Sequence, residues 1–257
     1  MVERQAQENF LRLCEDIVHA GHAEKGIGTY GEKYMHLILK HFFCPDPDWH
    51  EVGLGDFFAD AVTGDEIYEI QTGGFYPLKK KLAYYLTRAD KRVVVVCPVV
   101  AKKRLIWIDP ETGATEESGR YTSYPRAQFR ILRELFWLSE LDLFPHVRFR
   151  LVYLTVDEYR KLDGWGAARK NRATKLERIP VALQDMKDIA SPRHVADVLL
   201  PSDLSTPFTS AVFSARTGLR GRGLSAALKT LERLGVIARN GKQGNAVLYE
   251  VLGGVGT

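Results

Sequence analysis

The run KRVVVVCPVV, residues 91–100, constrains this chain more than any other segment. It is too β-branched and too apolar to be anything but a buried strand. A buried strand needs cover, and the sequence supplies it on either side in chain order. A first helix lies over MVERQAQENFLRLCEDIVHA, with Phe10, Leu13, Cys14 and Ile17 at helical intervals, and a second over Tyr30 to Phe43, striped by Tyr34, Leu37, Ile38 and Phe42. Pro45 and Pro47 stop the second helix. A strand near HEVGL follows, then two strands in FFADAVTGDEIYEIQTG, a helix opened by Pro77 over PLKKKLAYYLTRAD, and the valine run. Helix, antiparallel strands, helix and buried strand predict a mixed sheet flanked by helices, an α/β architecture.

Beyond residue 100, KRLIWID predicts a further strand with PETGATEESG as its exposed turn. RAQFRILRELFWLSEL predicts a helix and VRFRLVYLTV a strand. The next stretch carries six Lys or Arg residues between 160 and 175, with Gly164 and Gly166, and its composition predicts a basic loop. That loop is either a solvated connector or a track for phosphates.

The two strands of residues 57–73 pose an electrostatic question. With Gly64-Asp65 as the turn, position 63 faces 66, position 62 faces 67, and Asp60 faces Glu69. Cross-strand neighbours have Cβ atoms roughly 4.5 to 5.5 Å apart, and like charges directly opposite one another destabilise a sheet. Glu69 and Gln71 project to one side of an extended strand, so three oxygen-bearing side chains converge. The charges either face solvent or hold a hard divalent cation such as Mg²⁺, which takes one or two carboxylates and keeps its other positions for water and phosphate. The apolar company of Phe57, Phe58, Ala59, Val62, Ile67, Tyr68 and Ile70 favours the cation, because unpaired buried carboxylates are costly.

The segment ADAVTGDEIYEIQ resembles the core of the PD-(D/E)XK nucleases, the restriction-endonuclease-like superfamily: an Asp, a short hairpin, an acidic residue, a spacer and a third polar residue. The order of elements over roughly residues 25 to 110 is also similar to that family's αβββαβ core. The resemblance implies a nuclease in which Asp60 and Glu69 bind Mg²⁺, with Mn²⁺ as a substitute, and Gln71 helps position the attacking water. Ala59 replaces the family's Pro, and Gln71 replaces its Lys, which brings a hydrogen-bonding group without positive charge. In some members a lysine from the following helix takes that role, and Lys79 and Lys80 are the residues expected to do so here, with Lys81 in the same segment. Glu32 matches the family's acidic residue on the early helix. It also completes a capping box with Thr29, and both roles stand. His36 and His41 form no recognised ligand spacing and are expected to pack or to face solvent.

Residues 190–257 are organised separately from the nuclease-like domain of residues 1–185. SPRHVADVLLP, TPFTSAVFSARTG and RGRGLSAALKTLERLG read as three short helices, the last with Leu224, Leu228, Leu231 and Leu234 on one face. VIARNGKQGNAVLYEV reads as a hairpin, and together they form a winged helix-turn-helix pattern. This segment holds eight basic residues against four acidic ones, in a chain whose formal net charge is only +4. Arg220, Arg222, Ser225, Lys229 and Arg233 on the outward side of the third helix, and Lys242 at the hairpin tip, are the expected DNA-binding residues. The same face could instead serve protein contacts or dimerisation.

Three cysteines without a CxxC pair argue against a disulfide framework or a zinc cluster and for a reducing compartment. No run approaches the roughly 20 apolar residues of a membrane span, so a cytoplasmic location is expected. No GxSxG or P-loop signal competes. The reading is a Mg²⁺-dependent endonuclease acting on double-stranded DNA, as a homodimer if both strands are cut. Its rival is a DNA-binding regulator or assembly factor whose nuclease-like core has lost catalysis.

Overall fold

The computed structural model describes residues 2–24, 34–88, 91–164 and 173–252. In chain order the main body comprises α1 (Arg4–Glu24), α2 (Tyr34–Phe43), β1 (His50–Leu54), β2 (Phe57–Thr63), β3 (Glu66–Ile70), α3 (Leu78–Arg88), β4 (Arg92–Ile108), β5 (Thr115–Glu117), β6 (Thr122–Ser123), α4 (Arg130–Leu135), β7 (Val147–Lys161) and β8 (Thr174–Ile189). The C-terminal segment adds α5 (Pro192–Leu199), β9 (Phe208–Thr209), α6 (Ser210–Thr217), α7 (Gly221–Arg233), β10 (Ile237–Gln243) and β11 (Ala246–Val251).

The valine run is the inner part of β4, as expected, and β4 lies inside a mixed sheet of order β1-β2-β3-β4-β7-β8. It runs parallel to β3 on one side and to β7 on the other. Parallel neighbours need crossovers, and α3 and the segment containing α4 supply them. Successive side chains of β4 serve opposite faces. Val93, Val95, Cys97 and Val99 join Leu78, Leu82, Ile131 and Leu132 of α3 and α4, while Val94 and Val96 join Phe10, Tyr34, Ile38 and Leu39 of α1 and α2. The α/β architecture with helices on both faces is therefore present.

Several boundaries differ from the sequence reading. KRVVVVCPVV and KRLIWID belong to one strand of 17 residues, whose register shifts between Val100 and Lys102. PETGATEESG contains β5, paired with the far half of β4. The helix expected after Pro125 is a short α4 flanked by 3-10 turns at Ala127–Phe129 and Phe136–Leu138. Phe58, counted among the apolar residues around the carboxylates, is 63% exposed.

The largest difference concerns the charged stretch expected as a basic loop. Its start completes β7 and its end opens β8, while residues 165–172 lie outside the described ones. Charged side chains occupy these strands because they pair across them. Arg104 reaches Asp157 at 2.7 Å, and the fully buried Glu158 meets Arg160 and Arg178 at 2.6 Å each and Lys103 at 3.3 Å.

In the C-terminal segment three helices pack against an antiparallel sheet of order β10-β11-β9. Ser191 caps α5 as its sequence position suggests, whereas α6 starts after the Thr206-Pro207 pair that opens its segment, because Phe208–Thr209 form β9 and Thr209 is the cap. Gly218 ends α6 at φ +76°, a left-handed conformation that favours glycine. Leu228 and Leu231 are buried, with Leu224 and Leu234 packed beside them. The sequence division near residue 190 does not divide the core: Phe208, Phe213 and Leu231 belong to the same buried cluster as Leu132 and Leu135. At this seam α7 lies so close to α4 that a Cβ on Gly223 would come within 3.1 Å of Arg133 Cδ. No helix among the described residues is long and apolar enough to cross a membrane.

Burial works against ionised Glu158, but Arg178, Arg160 and Lys103 prevail and bring its pKa down from 4.5 to about 2. A depressed carboxylate stabilises the fold above its unfolded pKa, and that contribution is lost as pH falls from about 4.5 towards 2. Glu158→Gln should cost on the order of 3 kcal/mol at pH 7. It should also flatten the acid limb of the stability curve, measured by urea unfolding across that range.

Candidate active site

The β2–β3 turn sets the register of the acidic pair. Gly64 has φ +54° and Asp65 does not share the positive φ, as in a type II′ hairpin turn. Thr63 pairs with Glu66, Val62 with Ile67 and Ala61 with Tyr68. Continuing that register puts Asp60 opposite Glu69. Here the Asp60 carboxylate interrupts the regular pattern: Oδ2 accepts the Ile70 backbone N–H at 2.6 Å. The outer edge of β3 thus ends on a carboxylate, while its inner edge continues to β4 through Gln71 N to Val96 O at 2.8 Å.

Glu69 is 3% exposed and held from α3. Lys81 Nζ donates to Oε2 at 2.6 Å and the Tyr85 hydroxyl donates to Oε1 at 3.0 Å. Lys81 and Tyr85 are four residues apart, so one helix face presents both. Leu78 and Leu82 anchor that face in the core. On the other flank, His36 of α2 brings Nε2 to 3.3 Å from Asp60 Oδ2.

The two carboxyls titrate in opposite directions. Burial, then the neighbouring Asp60 charge, raise Glu69 from 4.5 to about 7 against the pull of Lys81 and Tyr85. Burial also opposes ionisation of Asp60, but His36, the Ile70 N–H and Lys81 together hold it below the usual carboxylate range. The pair therefore contains one firmly ionised acid and one poised near neutrality, an arrangement suited to proton transfer or to cation binding.

The expected site residues divide accordingly. Asp60 and Glu69 come together. Lys79 is directed to Glu140 and Lys80 is exposed, so the lysine that reaches the acidic pair is Lys81. Gln71 lies just beyond β3 and its Nε2 donates to the Gly74 carbonyl at 2.6 Å, which commits its amide to bracing the following loop. Glu32 lies outside the described residues. His36, expected to be a packing or surface residue, instead contacts the site. Among the described residues no group of three His, Cys, Asp or Glu side chains could hold a metal. The two carboxylates fit the small protein share of a Mg²⁺ coordination shell, which is completed by water and phosphate oxygens.

On α7, Arg222, Ser225 and Lys229 are exposed, as are Arg220 at its N-cap and Lys242 near the β10–β11 turn. Arg233 is turned towards the main body. Its Nη1 donates to Ser139 Oγ at 2.5 Å and its guanidinium lies 5.6 Å from the Phe136 ring centre.

A helix-covered mixed sheet defines an α/β protein, and in it a buried Glu69 and a partly buried Asp60 are flanked by Lys81 and His36. The chain belongs to the family defined by a domain of unknown function, DUF8091, whose family model matches residues 33–190, more than half of its 257 residues. No curated protein and no solved structure matches it significantly.

Because folded Glu69 retains its proton to about pH 7, the metal-free protein should lose stability as pH rises from 4.5 to 7, by up to about 3 kcal/mol. Glu69→Gln should flatten that slope, as read from urea midpoints at pH 5 and pH 8.

Proposed function

We propose that the protein is a divalent-metal-dependent DNA endonuclease of the PD-(D/E)XK type. The observation that carries this reading is the Asp60–Glu69 pair on adjacent strands with the Lys81 ammonium at 2.6 Å from Glu69. The strand order supports it too. An antiparallel β1-β2-β3 meander leads through α3 to β4, which runs parallel to β3, after a preceding helix α2. This is the arrangement expected of the αβββαβ core.

Asp60 and Glu69 would hold Mg²⁺, or Mn²⁺ in its place, and the metal when bound supplies an acidified water and a counter-charge for the phosphodiester. The chain's own residues provide the positioning. Tyr85 fixes Glu69, while His36 and the Ile70 N–H fix Asp60. Lys81 carries the positive charge that Gln71 lacks, and stands where it can orient water and meet negative charge developing on phosphate. In residues 190–252, three helices and a three-stranded sheet support the winged helix-turn-helix reading. Its α7 would offer Arg222, Ser225 and Lys229 to the major groove, with Arg220 and Lys242 on phosphate. Cleavage of both strands would call for a homodimer.

The rival, a DNA-binding protein without catalysis, draws on the same contact: Lys81 and His36 already satisfy charges that a metal would otherwise neutralise. Plasmid nicking with Mg²⁺ or Mn²⁺ separates the two. The enzyme reading expects Asp60→Ala and Glu69→Ala to lower cutting by about 100-fold or more, and Lys81→Met to do the same while Lys79→Met and Lys80→Met cut normally. DNA retained but never cut with either metal would establish the rival. In either case, replacing Arg220 and Lys242 by Ala should weaken duplex binding and flatten its salt dependence by about 0.9 in log–log slope per lost phosphate contact.

A further inference from the structure

A cavity of about 650 Å³ opens where the start of α4 and the far part of β4 meet the turn between α6 and α7. Lys103, Arg126, Arg130 and Arg178 line it, and no acidic residue does. The charges around it do not balance. Lys103 and Arg178 both lean on Glu158, which Arg160 shares, so three cations draw on one carboxylate. Arg126 and Arg130 form no ion pair among the described residues. The Arg130 guanidinium donates to the Pro98 carbonyl at 3.1 Å, and burial followed by the neighbouring Arg178 depresses its affinity for its own proton against the smaller pull of Cys97 and Glu134. A half-buried guanidinium close to another is costly unless an anion joins them.

We propose that this cavity is a binding site for a phosphate ester group, gripped by Arg126 and Arg130 and flanked by Lys103 and Arg178. Arginine offers five donors in a planar fork suited to two phosphate oxygens at once, and one carbonyl contact leaves most of the Arg130 fork available. The volume lies within the range of roughly 300–1,000 Å³ typical of small-ligand sites. The Tyr124 ring, with the Lys103 ammonium 5.4 Å from its centre, forms part of the wall, so more than a bare ion can be accommodated. The phosphate could belong to a free nucleotide or to a nucleic-acid backbone, and the backbone source rests on the DNA reading above. Gly218, on the turn that leads into α7, also borders the cavity, so a strand lying along α7 would bring its backbone past this opening.

The test uses the whole 257-residue chain in EDTA at constant ionic strength, with pyrophosphate and ATP titrated calorimetrically and a labelled duplex titrated by anisotropy. Arg126 is exposed, so Arg126→Glu should fold. Arg130→Gln probes the half-buried partner and should weaken the same ligand, and Arg88→Glu repeats the charge change at another exposed position. Loss of at least about 10-fold in pyrophosphate or ATP affinity with Arg126→Glu, and not with Arg88→Glu, supports the site with a small ligand as the source. The same contrast seen only with duplex supports it with the nucleic-acid backbone as the source. If Arg126→Glu weakens none of the three more than Arg88→Glu does, the proposal is overturned. Divalent ions are absent and nothing is cut, so the result does not depend on whether Asp60 and Glu69 form a nuclease centre.

Discussion

The pairing of β4 with parallel neighbours on both sides governs the rest of the molecule. Edge strands can face water, but a strand between two parallel partners must be covered above and below. β4 meets this demand with valines directed to both faces, and each face recruits its own pair of helices. The short β3 then has one edge on β4 and the other on β2. Its last residues lie where the hairpin runs out, and that exit brings a carboxylate from each hairpin strand to the boundary between the two helical layers. The site therefore follows from the sheet, and α2 and α3 can both reach it because they cover opposite faces.

The acidic pair persists because its environment is divided. Glu69 sits deep, and burial disfavours its charge more than Lys81 and Tyr85 restore it. Asp60 is less enclosed and gains a backbone N–H and an imidazole. Two ionised carboxylates in this space would repel. Near neutrality the repulsion can be relieved by a shared proton or by an added cation, and α3 already contributes a partial answer in Lys81. The same balance appears with opposite sign around the α4 cavity, where arginines exceed the carboxylate available to them.

Much of this was legible in the chain. Gly64-Asp65 fixed the hairpin register, and with it the opposition of Asp60 and Glu69, because a two-residue turn permits little slippage. Lys81 could have been found as well. Leu78, Leu82 and Tyr85 mark the inward face of α3, and a residue beside Leu82 and one turn before Tyr85 shares that side, whereas Lys79 and Lys80 do not. His36 was beyond reach, since its contact depends on how α2 crosses the end of the hairpin. The extensions of β7 and β8 were hidden for a different reason. Asp157 and Glu158 look solvent-bound in sequence, and the distant Arg104 and Arg178 that pair with them explain their burial.

The match to the family stops at residue 190, immediately before Ser191 caps α5, yet the apolar side of α4 is sealed by residues that come later. A relative that ended there would keep the contacts of Ile131 and Leu132 with β4 but uncover the side of α4 that α7 meets. Such relatives must carry polar substitutions on that helix, dock a separate subunit against it, or append an unrelated module of similar shape. The composition of this one helical stripe should thus sort the family by what each member wears at its C-terminal end.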